Sequence, residues 1–212
     1  MVENDTNAEN CKLTLIIDAA QKRFAYYGLS KTTMTEIASD IGLSKASLYY
    51  YFADKDTLFR AVVKREQDFF LNEMRQLIQE EKTAEDKFFN YTKHRHTYLR
   101  KVFVNLTQLK MTMDHVKPLL GNLMEVFMKA ETELIESIFQ EGIKKKEFNN
   151  MNTKTMADAY ISSAQGLRTL TIKNRNSYVL EKSDFEEIET RINIIAEIFI
   201  KAIKKNKDES IA

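Results

Sequence analysis

The stretch Ser44-Lys45-Ala46-Ser47-Leu48-Tyr49-Tyr50-Tyr51 crowds hydroxyls and one ammonium into a very short space. Ser44 and Ser47 are short donors and acceptors. Lys45 can reach guanine acceptors or a phosphate, and Ala46 permits close approach or meets a thymine methyl. Three consecutive tyrosines on a helix point in three directions, so Tyr49, Tyr50 and Tyr51 cannot all enter a core, and at least one faces solvent or a ligand. Lys55 opens the next helix, where its charge and the nearby backbone N–H groups can hold a phosphate. Thr33 and Thr35, just before these residues, can do the same. This is the chemistry of base edges and phosphates. No bond-making apparatus accompanies it: there is no nucleophile elbow, no phosphate-cradling glycine loop and no HExxH pair. The paired acids lie on charged faces, so an enzyme is not expected, and neither is a cofactor.

Such side chains need a rigid platform, and the flanking pattern supplies one. Thr33-Met34-Thr35-Glu36 fits a capping box that starts a short helix with Ile37, Ala38 and Ile41 on its buried side. Ala38 is small enough for a second helix to cross closely, and Gly42, four residues on, reaches a positive φ without strain. Ser44 caps that second helix, which Leu43 and Leu48 pin to the first. The result is a helix-turn-helix, which offers its second helix to a DNA major groove. Upstream, Leu13 through Phe24 reads as an amphipathic helix ended at Gly28. Downstream, Asp54 caps a long helix running to about residue 80.

These residues resemble the DNA-binding domain of TetR-family transcriptional regulators over about residues 12–60. The resemblance is carried by Ile16–Phe24, Gly28, Thr33–Ala38, Gly42–Phe52 and Lys55 with Leu58-Phe59. Ala46 stands where glycine is common in that family, and Ala53 where proline is common. The resemblance implies a homodimer with a variable helical regulatory domain, and repression relieved by a small molecule. It implies phosphate and base contacts at Thr33, Lys45, Ala46, Ser47, Tyr49, Tyr50, Tyr51 and Lys55. Residues 12–60 carry seven Lys/Arg and five Asp/Glu, a net of only +2. Binding must therefore rest on placed contacts and backbone donors.

The rest of the chain reads as an all-α protein of about nine helices. The expected division is a flexible N-terminus over 1–11, a three-helix DNA-binding domain over 12–57, and a larger helical ligand-binding and dimerisation domain over 58–212. Pro118 should break the helical pattern within 111–121. A further helix carries Leu120, Leu123 and Phe127 onward, and Ser183 with Glu186 should cap the last helix. In that helix Phe185, Ile188, Ile192, Ile195 and Phe199 form a heptad-like seam, with Ile194 and Ile198 beside it. Ala164 in the preceding helix is small enough for close packing, so a dimer interface is expected at Ala164, Arg168, Ile188, Ile192, Ile195 and Phe199. Arg168, among apolar neighbours, could instead meet an anionic ligand head. Residues 85–165 are rich in aromatics and methionine, which suits a pocket for a small apolar or amphipathic ligand around Tyr98, Phe103, Asn105, Met124, Phe127 and Tyr160. His94 and His96, two apart on a helix, do not share a face, so no metal site is expected.

Composition bounds all of this. With 212 residues, 43% hydrophobic, 30% charged and net charge +1, the chain is an ordinary globular protein and not a general polycation. One Pro and five Gly disfavour a strand-rich fold, and a lone Cys11 excludes a disulfide framework. No apolar run is long enough to span a membrane, and the polar, acidic start is not a signal peptide. A cytoplasmic protein is expected whose partners are double-stranded DNA and a second copy of itself.

Overall fold

The computed structural model describes the backbone of residues 2–108, 113–173 and 180–205, and the side chains of 9–103, 116–172 and 180–205. The described residues form nine helices: α1 (Val2–Tyr27), α2 (Met34–Asp40), α3 (Lys45–Tyr51), α4 (Lys55–Glu80), α5 (Ala84–Gln108), α6 (Met113–Leu120), α7 (Leu123–Lys144), α8 (Thr153–Lys173) and α9 (Lys182–Ile203). No strand occurs among them. The chain divides into two compact units, 1–68 with 104–123, and 69–103 with 124–212. The division falls inside α4, beyond the boundary expected at residues 57–58. Residues 2–11 lie in the first turns of α1.

In the first unit α1 packs on α2, and α2 on α3. Ile16, Ala20 and Phe24 of α1 are buried, as are Ile37, Ala38 and Leu48 from the two short helices and Leu58 and Phe59 from α4. The rings of Phe24 and Phe59 meet edge-on at 5.7 Å. Arg60 reaches from α4 to the Leu119 carbonyl of α6 at 3.2 Å.

The second unit buries Phe70, Leu71 and Met74 of α4, Phe88 and Tyr91 of α5, Ile135, Ile138 and Phe139 of α7, and Tyr160 of α8 in one cluster. Phe88 centres it, 5.4 Å from Phe139 and 4.6 Å from Tyr160 between ring centroids. Buried Phe148, after α7, fills the space over Gly142, where a Cβ would sit 2.2 Å from its ring. The same segment is tied to the end of α9 by Asn149 N–H to Ile203 O (2.8 Å) and Lys205 N–H to Glu147 O (2.9 Å).

Two expected boundaries shift. Pro118 lies inside α6 instead of breaking it, because an eight-residue helix forfeits only one internal hydrogen bond to proline. Gly121, at φ 54°, then assigns Leu120 to α6 and starts α7 afresh at Leu123. Helix α9 begins at Lys182, earlier than the Ser183–Glu186 box allows: Glu181 is its N-cap, with Asp184 closing the reciprocal box. Both pairs have a side chain that can bond the N3 amide. Phe185 and Asp184 are buried, which draws the start back to Glu181.

Candidate nucleic-acid interface

Each element of the helix-turn-helix is fixed by a bond that its sequence supplies. At the start of α2 the Glu36 N–H donates to Thr33 Oγ1 (3.3 Å), and the Thr33 N–H donates to the Glu36 carboxylate (2.8 Å), the reciprocal box. The Thr33 hydroxyl and amide hold Glu36 below the usual carboxylate range. Buried Ala38 carries the turn, its carbonyl accepting from Ile41 N (3.3 Å) and Leu43 N (2.9 Å). Gly42 sits at φ 66°, left-handed backbone that glycine adopts without cost. Ser44 then caps α3, accepting from the Ser47 N–H at 3.0 Å.

Leu48 is the buried anchor of α3, with fully enclosed side chain, and buried Phe52 closes the helix. Ser44, Lys45, Ala46, Tyr49 and Tyr50 are exposed, while Ser47 and Tyr51 are half-buried. Tyr50 stands out at 76% exposed, its ring edge-on to Tyr51 at 5.2 Å. The Lys45 ammonium lies 5.7 Å from the centre of the Tyr49 ring. A single helix face thus carries the ammonium, the small Ala46 and the exposed phenols of Tyr49 and Tyr50.

Three of the expected contact residues are already engaged. The hydroxyls of Ser44 and Ser47 bond each other at 2.8 Å, and the Ser44 oxygen also serves the cap. The half-buried Lys55 donates to the carbonyls of Leu29 (2.7 Å) and Thr32 (2.9 Å), stitching α4 to the connection between α1 and α2. Thr33 and Thr35 are exposed at the start of α2. Sequence reasoning missed the brace behind this site. Arg23 of α1 donates to both carboxylate oxygens of Asp40 (2.5 and 2.9 Å) and lies 3.3 Å from Glu36, joining α1 to both ends of α2. That guanidinium hydrogen bond holds Asp40 below the usual carboxylate range. The signal available was an arginine on the polar flank of α1, which does not by itself name a partner.

The other expected sites lie in the second unit. Tyr98 stacks on Phe70 at 4.3 Å and lies 6.1 Å from Phe127, so these two ligand candidates do come together. Tyr160 is buried against Phe88 and Phe199 and shares a hydrogen bond with Thr92 (2.7 Å). Phe103 packs elsewhere, 6.2 Å from Phe185. Met124 is half-buried at the start of α7, and the side chain of Asn105 lies outside the described residues. Among the expected dimer residues, Ala164, Ile188 and Ile192 form a buried cluster between α8 and α9 of the single chain. Arg168 is buried too, and Ile195 and Phe199 are half-buried against the main core. The large apolar residues that these helices leave outside, among the described residues, are Leu170, Ile194 and Ile198. Among the described residues no group of three metal-ligating side chains gathers, and no helix is long and apolar enough to cross a membrane.

An all-helical chain that clamps a capped recognition helix onto a three-helix platform, polar face outward, defines a helix-turn-helix DNA-binding regulator. The sequence pattern of bacterial regulatory proteins of the tetR family matches residues 16–62. A transcriptional regulator from Cytophaga hutchinsonii, known from its crystal structure, is 41% identical, with 92% of this chain and 99% of that one covered and a TM-score of 0.78. The fatty acid metabolism regulator protein of Bacillus subtilis is 27% identical over 64% of this chain and 70% of its own length. An HTH-type transcriptional repressor of Mycobacterium tuberculosis is 37% identical over 51 residues, only 27% of that protein. The chain belongs to the TetR family of transcriptional regulators, which are DNA-binding proteins and not enzymes.

Proposed function

We propose that the protein is a homodimeric, cytoplasmic repressor that holds a near-palindromic operator and is released by a small apolar or amphipathic ligand bound within residues 58–212. The observation that carries the reading is the outward face of α3, with Lys45, Ala46, Tyr49 and Tyr50 exposed on a helix fixed by its cap and by Leu48. Lys45 and Tyr50 supply base and phosphate contacts. Thr33 and Thr35 hold a phosphate at the start of α2. Residues 12–57 form the DNA-reading part, and the remaining helices bind ligand and dimerise. Two-fold symmetry sets two copies of α3 on successive major grooves, about 34 Å apart, which calls for an operator with matching half-sites. A ligand shifts this equilibrium only by binding one state better than the other.

The test is selection of sites from random duplexes with purified protein, repeated with Lys45→Ala and Tyr50→Ala at two salt concentrations. A recovered near-palindrome that both variants weaken is the expected outcome. Recovery of only weak, salt-sensitive, sequence-independent binding would overturn the reading. A recovered site that no small molecule loosens would favour instead a DNA-binding protein without a small-molecule effector.

A further inference from the structure

Near Tyr91 and Tyr160 the second unit sets two buried guanidiniums, Arg95 and Arg168, around the buried carboxylate of Glu131. Arg95 and Glu131 form an ion pair inside the core, Arg95 Nε and Nη2 donating to the two oxygens of Glu131. The Tyr91 hydroxyl donates to the same carboxylate at 2.6 Å. The guanidinium of Arg95 also rests against the rings of Phe70, Tyr98 and Phe127, 5.3–5.8 Å from their centres. Glu131 is thereby spent. Arg168 enters this neighbourhood from α8, only 5% exposed, and its Nε has no hydrogen-bond partner among the described residues. Burial pushes the Arg168 pKa below its ordinary value, and the charge of Arg95 pushes it the same way.

A second orphan lies in the same field. The Nδ1 of buried His96 has no partner among the described residues. Burial lowers the His96 pKa against the pull of Glu189, and the charges of Arg168 and Arg100 lower it further. These are the two unpartnered buried side-chain atoms among the described residues, and the charge of one acts on the other. Leaving a buried guanidinium donor unpaired is costly. Among the described residues that act on Arg168, two guanidiniums face one carboxylate, Glu131, a local surplus of one positive charge. A monoanion balances that surplus, whereas a phosphate dianion would overshoot it.

We propose that Arg168, through its unpartnered Nε, anchors the head of a monoanionic ligand, a carboxylate on an apolar body. The assignment deepens the ligand-released reading above and rests on it for its regulatory consequence, but not for the binding itself. The hydroxyls of Tyr91 and Tyr160 are already bonded to Glu131 and Thr92, so Arg168 supplies the recognition. A carboxylate from a second copy of the chain is a poorer match, because Arg168 is enclosed within its own protomer.

The experiment is calorimetric titration of the full-length protein with decanoate, decan-1-ol and decyltrimethylammonium, which share a chain and differ in charge. Wild type is expected to bind decanoate roughly tenfold to a hundredfold more tightly than the alcohol, with the cation weakest. Arg168→Gln should lose the preference for the acid and keep its affinity for the alcohol, and Arg168→Lys should retain part of it. Equal binding of acid and alcohol by wild type, binding of neither, or an undiminished preference in a folded Arg168→Gln would each overturn the assignment. The comparison of probes on wild type decides even if the variants fail to fold. Release of a selected duplex by the same probes is scored separately. Decanoate binding through Arg168 without release leaves the site standing and sinks the ligand-released reading; release by the alcohol as readily as by the acid does the reverse.

Discussion

Lys45 and Lys55 carry the same charge within ten positions of each other, and the fold gives them different work. Lys45 is exposed, its ammonium 5.7 Å from the centre of the Tyr49 ring. Lys55 is half-buried and spends its ammonium on the carbonyls of Leu29 and Thr32. Lys55→Met strands both carbonyls, so a loss of about 1–3 kcal/mol of stability is expected. Lys45→Ala should leave stability within about 0.5 kcal/mol, as surface substitutions do. Urea denaturation of the two variants checks this, and a Lys55→Met midpoint equal to wild type would refute the staple. DNA binding then separates the roles further. If Lys45 meets a phosphate, its removal lowers the slope of log affinity against log salt by roughly 0.9. If it meets a guanine, the slope holds and discrimination at one base pair relaxes. Any loss of DNA affinity in Lys55→Met has to be compared with its loss of stability before a phosphate contact is credited to it.

At the scale of elements, the end of α7 is set by a glycine of unusual consequence. The Cβ of an alanine at 142 would lie 2.2 Å from Phe148 Cδ2 and 2.4 Å from Cε2, and that ring is buried. The Gly142 carbonyl also accepts from both Glu147 N (2.8 Å) and Phe148 N (3.2 Å), so the backbone there has little room to retreat. Gly142→Ala should destabilise by about 1–3 kcal/mol through overpacking. Adding Phe148→Leu should then cost less than the sum of the two single changes, because the second removes the clash created by the first. Thermal denaturation of the single and double variants reads this out, and strict additivity would show that the ring can move aside. Nothing in the sequence announced this contact, since Gly142 looks like any glycine near a helix end and its partner follows a turn. Local signals fared differently. The boxes at Thr33–Glu36, the Ser44 cap and the positive φ at Gly42 were legible because each is decided within four residues. The start of α9 was not, because two overlapping boxes were available and the burial of Asp184 and Phe185, a tertiary matter, chose between them. Glu131 could have been found: it shares one apolar stripe of α7 with Phe127, Leu134 and Ile138, where an acid needs a buried partner.

At the scale of the whole molecule, α9 shows why a heptad count does not identify a dimer seam. Phe185, Ile188 and Ile192 have the spacing of a coiled-coil face, but they are buried by their own chain. A helix buried on one side within a protomer shows the same period, so period alone cannot tell self from partner. What distinguishes them is what remains outside. Ile194 and Ile198, one helical turn apart, are 52% and 55% exposed on the far face, and Leu170 of α8 is 57% exposed. Scattered exposed aliphatics are ordinary, but an i, i+4 isoleucine pair on a helix already buried on its other side is an apolar ridge suited to a second copy. Ile198→Glu places two like charges across a two-fold interface while leaving the protomer core untouched. The expected result is dissociation to a folded monomer in sedimentation equilibrium, with helical content retained. Apparent stability should also lose its dependence on protein concentration. The consequence for DNA follows from symmetry. A monomer carries one copy of α3, so preference for a paired half-site collapses to weak binding of either half alone, whereas Tyr50→Ala weakens both halves and keeps the dimer. An Ile198→Glu protein that remains dimeric and still prefers the full palindrome would move the interface away from this ridge.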